Sequence, residues 1–219
     1  MIKGIYLDLD GTLVDSRESI ITSIQYTMKE IGAEHVDEET IRWVVGPPLE
    51  VIFQELLGLH ADLEEAMEIY RAHYTGGNMY EADVFDGIGE MLMDLRETEA
   101  GLWIATSKPA SYANKIIEHF GIDAHVDGLF GSEESGHNAD KTDLIAHALN
   151  ETEVEAHEAI MIGDRKYDII GAKNNGVPSI GALWGFGEEG ELHMAEADAL
   201  AGHPDDVLEL VLEIAGVEL

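Results

Sequence analysis

Residues 4–12, GIYLDLDGT, decide the fold of this chain. The apolar beginning of the stretch predicts a short buried strand, and Asp8 and Asp10 follow at its carboxyl end, the edge where open α/β sheets place their sites. Because alternate residues of an extended chain point the same way, the two carboxylates crowd one small volume and need a cation or a shared proton. Gly11 allows a sharp turn. A calcium loop or a solvated turn is the alternative, but EF-hand ligands spread over about a dozen residues, and here two apolar residues follow at once.

Strands and helices alternate along the rest of the chain. Apolar runs predict further strands at residues 102–106, 126–130, 159–162 and 177–183. Helical periodicity and helix-start residues predict a first helix that starts at Asp15 or Ser16 and runs to residue 31. They predict further helices at residues 39–45, 49–57, 63–74, 88–96, 111–120, 142–149 and 167–174, with a last one from about residue 204. This alternation predicts an α/β fold with a mainly parallel sheet and right-handed crossovers.

Polar residues stand where these later strands end or helices begin. Thr106 ends the second predicted strand, and Asp164 follows the fourth, so that a parallel sheet would bring Asp164 beside Asp8. Lys141 precedes an amphipathic helix and Asp168 lies near the start of another. Each has a plainer interpretation, since threonine favours strands, a lone lysine is usually exposed and an aspartate caps helices well.

Together these segments resemble the four motifs of the haloacid dehalogenase-like (HAD) phosphohydrolases. The stretch DLDGT at residues 8–12 resembles the first motif, and IATSKP at residues 104–109 resembles the second. Lys141 stands where the lysine of the third motif is expected, and GDRKYD at residues 163–168 matches the GDxxxD form of the fourth. The family often has proline after that lysine, whereas this chain has Thr142.

The resemblance implies a Rossmann-like, three-layer catalytic core at residues 1–15 and 84–219. Residues 16–83 would form an all-helical cap inserted after the first motif, as in one large subgroup of the family. Within the cap, GPPLE at residues 46–50 is similar to a branch usually labelled phosphoglycolate phosphatase or 5′-nucleotidase-like phosphatase.

The resemblance also implies a Mg²⁺-dependent phosphomonoester hydrolase that acts through an aspartyl-phosphate. Asp8 would be the nucleophile and Asp10 the general acid and then the general base. The other residues that it assigns to catalysis are Thr106 and Lys141. Contacts with the substrate phosphate are expected from Gly11, Thr106, Ser107, Lys108 and Lys141. The metal would be held by Asp8, the backbone carbonyl of Asp10 and Asp164, with Asp168 close by or bound through water.

Other activities of the family, and one from another class, share part of this pattern. A dehalogenase would lack Asp10, because a halide leaves without a proton, and a phosphonate hydrolase would want a Schiff-base lysine in the cap, where the chain offers only Lys29. A phosphosugar mutase shares all four motifs and stays open. Receiver domains of phosphorelays, which accept phosphate without turnover, share the residue types, but they lack a helical insertion after the first strand.

The net charge of the chain excludes some classes of binding partner. The 219 residues carry 12 Lys plus Arg against 45 Asp plus Glu, a net charge of −33. Such a surface repels nucleic acid and anionic membranes. The family resemblance implies a small phosphorylated metabolite as the partner. The absence of cysteine and of an apolar leader favours the cytoplasm, and the acidity suggests a salt-rich one, although a merely acidic protein explains it equally. The pattern leaves monomer and homodimer open.

The positions of the few lysine and arginine residues suggest functions for some of them. Four of them lie in or beside the motif loops and offer a local attractive field for an anionic substrate: Lys108, Lys141, Arg165 and Lys166. Three more are candidates in the predicted cap for reading a substrate carboxylate or second phosphate, with a surface role as the alternative for each: Arg17, Arg42 and Arg71. Residues 185–190, GFGEEG, match GxGxxG formally but follow the last predicted strand, so we interpret them as a mobile loop near the site.

Overall fold

The computed structural model describes residues 1–33, 42–47, 49–58, 62–133 and 137–217. Its strands are β1 (Gly4–Leu7), β2 (Val14–Asp15), β3 (Asp83–Val84), β4 (Gly101–Pro109), β5 (Gly128–Ser132), β6 (Ala159–Gly163), β7 (Ser179–Ala182) and β8 (Ala199–Ala201). Its α-helices are α1 (Arg17–Glu30), α2 (Leu49–Leu57), α3 (Leu63–Thr75), α4 (Ile88–Arg96), α5 (Ala110–Phe120), α6 (Lys141–Thr152), α7 (Lys166–Asn174), α8 (Glu191–Met194) and α9 (Val207–Ile214).

A six-stranded parallel sheet in the order β5-β4-β1-β6-β7-β8 confirms the predicted α/β fold. The first strand lies in the middle, where Leu7 pairs with Ile104 of β4 on one side and with Ile162 of β6 on the other. Its four residues are buried, as expected for a parallel strand covered on both faces. The other strands therefore lie on both sides of β1, and Asp8, which follows β1, lies between the carboxyl ends of β4 and β6.

Helices cover both faces of this sheet, which gives three layers. Because side chains alternate along a strand, Ile5 and Leu7 face one hydrophobic cluster, which α4, α5 and α9 complete. Tyr6 faces the other cluster, built with Leu144 of α6 and Ala172 of α7. A tight core on each face fixes the strand ends, and with them the polar residues that follow.

Helices α1, α2 and α3 lie between β2 and β3, a two-stranded antiparallel pair. Asp62 caps the start of α3, where its side chain accepts a hydrogen bond from the Glu65 amide. Tyr70 and Tyr74 on its buried face join the same hydrophobic cluster as β1. The pair β2–β3 lies where the sequence predicts the boundaries of the cap, and the division into core and cap stays a prediction.

The structure differs from the predicted elements at short segments. Strand β8 and the one-turn helix α8 were not predicted, because three or four residues carry little periodic signal. The predicted strand at 126–130 begins two residues later, and β4 runs on to Pro109. Of the helix predicted at 39–45, the described part is a single 3-10 turn at Arg42–Val44, and the rest lies outside the described residues.

Candidate active site

Three buried carboxylates meet where β1 and β6 end. Asp8 follows β1, Asp164 follows β6, and Asp168 lies in the first turn of α7. One oxygen from each lies within 4.8 Å of the others. The parallel sheet thus brings Asp164 beside Asp8, as the sequence predicts.

Lys141, the first residue of α6, neutralises part of this cluster. Its ammonium lies 2.9 Å from Asp8 Oδ1 and 2.6 Å from Asp168 Oδ1, and it donates to the Ala105 carbonyl at 2.8 Å. Only 5% of its side chain is exposed, so the interpretation of Lys141 as a surface lysine is wrong. Burying a lysine this deeply is stable because two anions and a carbonyl replace its water.

Asp164 is held by groups distant in sequence. Its Oδ1 accepts from the Thr12 hydroxyl at 3.1 Å, and its Oδ2 accepts from the Phe186 amide at 2.8 Å. A Cβ at Gly11 would overlap the Asp164 carboxylate, and one at Gly185 would overlap both Asp164 and the Gly11 carbonyl, so both positions need glycine. Residues 185–190 are predicted to form a mobile loop near the site, and the structure places Gly185 and Phe186 of this segment against the Asp164 carboxylate.

Asp168 has two functions in the structure. Its Oδ2 accepts from the Arg165 amide at 3.1 Å and so caps the start of α7, as the plainer interpretation proposed. Its Oδ1 meanwhile binds Lys141. The cap fixes the rotamer that points the second oxygen into the cluster, so capping and membership of the site are compatible.

The cluster carries more negative than positive charge. Burial raises the pKa of Asp8 to about 6, an effect that Lys141 opposes and Asp168 strengthens. Burial, with Asp168 and Asp8 nearby, also raises the pKa of Asp164 well above its usual range. For Lys141 burial lowers the pKa, but Asp168 and Asp8 outweigh it and raise the pKa above that of an ordinary lysine. Hard oxygen donors in such excess suit Mg²⁺, so the residues present fit that metal.

Asp10 is oriented by a different cation. The Lys108 ammonium lies 2.6 Å from Asp10 Oδ1 and donates to the Tyr74 hydroxyl at 2.7 Å. Thr106 lies two residues before Lys108, and its hydroxyl accepts from the Lys108 amide at 3.2 Å. Lys108 therefore connects the loop after β1 with α3.

A cavity of about 460 Å³ opens above these groups. The predicted site residues that line it are Asp8, Asp10, Thr106, Ser107, Lys108, Lys141 and Asp168. Gly11 and Asp164 are buried beside it and are not among its lining residues. The opposite wall is largely apolar and aromatic and comes from the inserted segment, including Leu49, Ile52, Met67, Tyr70 and Tyr74.

The remaining candidate cations differ in position. Arg71 and Arg165 line the cavity, whereas Lys166 is exposed and lies against the Tyr167 ring. Arg165 donates to Glu191 at 2.9 Å and also to the Val45 carbonyl of the inserted segment. Arg17 stacks on the Phe186 ring, 4.5 Å from its centre, and the Arg42 side chain lies outside the description.

Sequence reasoning missed the groups that support the carboxylates. Thr12 belongs to the first-motif stretch, but its residue type does not indicate which group it contacts. Glu191 lies outside the motifs, and the Phe186 amide is backbone, which leaves no trace in residue type. Tyr74 is recognisable only as an apolar position of a helix. The glycines at 11 and 185 were the available signal, since a close backbone approach commonly requires glycine.

The chain is similar to known proteins both in sequence and in fold. A sequence model of the haloacid dehalogenase-like hydrolases matches residues 5–182. A 5′-nucleotidase of Pseudomonas aeruginosa is 41% identical over 190 residues, 86% of each chain. Tyrosine-protein kinase PtkA of Mycobacterium tuberculosis is 36% identical over 183 residues, which are 84% of this chain but 62% of the kinase. The crystal structure of a predicted phosphatase from Clostridium acetobutylicum is 36% identical, with a TM-score of 0.91 over 97% of this chain and 99% of that one. The chain therefore belongs to the haloacid dehalogenase-like hydrolase family and groups with its phosphatases.

Proposed function

We propose that this protein is a Mg²⁺-dependent phosphomonoester hydrolase that acts through an aspartyl-phosphate on Asp8. The observation that carries the proposal is the position of Asp8, which lines the cavity beside Lys141 and two further buried carboxylates, with Asp10 on the same loop. Phosphoryl transfer needs a nucleophile, neutralised phosphate oxygens and a proton for the leaving oxygen. The cluster offers a residue for each need.

In the first step an Asp8 carboxylate oxygen attacks phosphorus, and the bond from phosphorus to the leaving oxygen breaks. Asp10 gives its proton to that oxygen, so the product is an alcohol. In the second step Asp10 takes a proton from water, the water oxygen attacks phosphorus, and inorganic phosphate leaves Asp8. Lys141 and the Thr106 hydroxyl offset and bind the phosphoryl charge throughout.

Mg²⁺ would be held by Asp8, the Asp10 carbonyl and Asp164, with Asp168 close by. The ion would neutralise charge on the phosphate oxygens. For this the chain supplies the Thr12 and Phe186 hydrogen bonds, which keep Asp164 oriented without substrate.

The substrate proposed is a small phosphorylated metabolite, either a nucleoside monophosphate or a compound like phosphoglycolate. The cavity volume of about 460 Å³ lies within the range typical of small-molecule sites. Its aromatic and apolar wall suits a nucleobase better than a carboxylate, and the Pseudomonas relative is named a 5′-nucleotidase. Arg71 on the same wall would instead favour a second anion. Residues 16–83 would act as the cap that closes over this substrate and excludes water.

Phosphate release from a panel of substrates tests the proposal. The panel contains p-nitrophenyl phosphate, phosphoglycolate, hexose phosphates and nucleoside monophosphates, each with Mg²⁺ or with EDTA. We expect turnover with Mg²⁺ and less than about 1% of it in EDTA, because three crowded carboxylates repel an anionic substrate without the metal. A folded protein that releases no phosphate from any compound would contradict the hydrolase, and conversion of one hexose phosphate into another would indicate a mutase.

We further propose that the acidic surface is an adaptation to a salt-rich cytoplasm. With a net charge of −33, self-repulsion destabilises the folded chain at low ionic strength. At molar salt the Debye length is about 3 Å, so this repulsion is screened. We expect the melting temperature to rise by at least about 10 °C between 0.05 M and 2 M KCl. A melting temperature that stays level or falls would count against the adaptation.

No helix in the described ranges has the length and apolarity that crossing a membrane requires. The cytoplasmic location and the choice between monomer and homodimer stay predictions.

A further inference from the structure

The family resemblance predicts that Lys108 contacts the substrate phosphate, and in the structure its ammonium contacts two protein groups. It lies 2.6 Å from Asp10 Oδ1 and 2.7 Å from the Tyr74 hydroxyl, with 8% of its side chain exposed. The Tyr74 ring lies 5.0 Å from the same nitrogen and is 2% exposed. An ammonium has three donors, and two of them are used on protein groups.

The two partners of Lys108 come from different parts of the fold. Asp10 lies on the loop after β1, whereas Tyr74 lies in the last turn of α3. Lys108 itself lies near the end of β4, where its amide donates to Thr106. One side chain thus joins the proposed general acid, the strand that carries Thr106 and the inserted helices.

Lys141 already supplies the positive charge beside the nucleophile. Its ammonium contacts Asp8 and Asp168, while that of Lys108 contacts Asp10. The two lysines therefore contact different carboxylates. Lys108 contacts the proposed general acid, and Lys141 contacts the proposed nucleophile Asp8 and Asp168.

We propose that Lys108 is a positioning residue for Asp10, and that Tyr74 fixes Lys108, so that the proton-transfer group is set in place when α3 is packed against the core. A general acid acts only within hydrogen-bond reach of the leaving oxygen, and a displacement of about 1 Å can cost roughly 100-fold in rate. Without Lys108, the Asp10 carboxylate is still present but loses the contact that selects its rotamer. This inference rests on the proposed phosphatase.

The test compares two leaving groups. p-Nitrophenolate departs as a stable anion without a proton, whereas the alkoxide of a primary alkyl phosphate needs one from Asp10. For Lys108→Met we expect kcat/KM to fall about 30-fold with an alkyl phosphate and less than about 3-fold with p-nitrophenyl phosphate. The parameter kcat/KM is used because it reports only the steps up to the first irreversible one. That step releases the leaving group, and hydrolysis of the aspartyl-phosphate, which is the same for both substrates, comes after it.

Tyr74→Phe provides a second variant, since it keeps the buried ring and removes only the hydroxyl. We expect the same selectivity with a smaller loss, about 5-fold for the alkyl phosphate. The double variant should lose no more than Lys108→Met alone, because Tyr74 acts through Lys108. Lys115→Met, an exposed lysine on α5, controls for the loss of one positive charge and should leave both substrates unchanged.

Several results would overturn the inference while leaving the phosphatase intact. Equal losses with both substrates would mean that Lys108 binds the phosphate itself. Unchanged kinetics in Lys108→Met, or additive losses in the double variant, would mean that the contact with Asp10 or with Tyr74 has no catalytic consequence. If Lys108→Met does not fold, Tyr74→Phe decides on the same substrate ratio. A folded wild-type protein that turns over neither these two substrates nor any compound of the panel would instead refute the proposed function.

Discussion

Asp8→Asn is expected to lower phosphate release at least 10⁴-fold with every substrate. The amide cannot form an acyl phosphate, and removing a nucleophile outright typically costs about 10⁶-fold. The fold should survive, because Asp8 Oδ1 accepts from the Leu9 amide at 2.8 Å and lies 2.9 Å from Lys141, and the amide oxygen of asparagine can keep both contacts. Burst-phase trapping of phosphoprotein from ³²P-labelled substrate provides the direct measurement, with label in the wild type and none in the variant.

The same substitution should stabilise the protein when metal is absent. The folded-state pKa of Asp8 is about 6, above the ordinary value of 3.8, so ionising it costs folding free energy at pH 8. The cost is fully present above pH 6 and disappears as the pH falls through 6 toward 4. Asp8→Asn should therefore unfold at higher urea than the wild type at pH 8 in EDTA, and at nearly the same urea at pH 4. A variant that is less stable than the wild type at pH 8 would show that Asp8 is a net stabiliser, contrary to the raised pKa.

Mg²⁺ should reduce the stability advantage of Asp8→Asn. A ligand that binds only the folded state stabilises it by RT ln(1 + [L]/Kd), and the variant loses one of the proposed ligands. The wild type should gain stability with Mg²⁺ at pH 8 while Asp8→Asn gains less. Removal of the metal thus separates the two consequences of Asp8, since one depends on its charge and the other on its affinity for the ion.

Much of the site could be predicted because the residues that follow parallel strands lie at the same edge of the sheet. Asp8, Thr106 and Asp164 each follow or end an apolar run, and parallel strands bring such residues to one edge. Lys141 needed the family resemblance, since a lysine at a helix start is ordinarily exposed. Its burial follows from the neighbouring carboxylates, which no local pattern reveals.

The supporting contacts could not be predicted for a different reason. The Thr12 hydroxyl and the Phe186 amide reach Asp164 across 152 and 22 residues, and the residue types alone allow many other partners. A glycine-rich segment after the last predicted strand resembles a flexible loop locally, although here it is fixed by a buried carboxylate. Strand β8 was missed because a three-residue edge strand depends on its pairing with β7 rather than on its own propensity.

For the inserted helices as well, the sequence predicts the elements but not their contacts with the site. Tyr70 and Tyr74 lie at helical spacing and are buried together on one face of α3. Nothing in that spacing indicates that the Tyr74 hydroxyl meets Lys108, because the contact depends on how α3 packs against β4. Tertiary packing therefore determines which of the predicted cations face the substrate and which hold the site together.

Lys141→Met is expected to be the most destabilising single change in the site. Methionine has a similar length but no charge, so Asp8 and Asp168 would be left buried beside each other without their cation. Breaking a buried pair by removing one partner typically costs 3–5 kcal/mol, because the remaining charge has neither water nor a partner. Urea unfolding at pH 8 in EDTA should show a loss of about this size, and phosphate release in Mg²⁺ should fall at least about 100-fold.

The pH dependence of this loss follows from both partners. The pKa of Lys141 is raised on folding, so its contribution is fully present below the ordinary lysine value of 10.5 and is lost only at still higher pH. Asp8 takes up a proton as the pH falls through about 6, and the difference in stability between wild type and variant should therefore shrink between pH 7 and pH 5.

Lys173→Met is the matched control, since Lys173 pairs with Glu196 at the surface with side chains 58% and 72% exposed. That exposed pair should contribute less than about 1 kcal/mol. A loss in Lys141→Met no larger than in Lys173→Met would contradict the buried ion pair, because equal losses require equal access of both lysines to water.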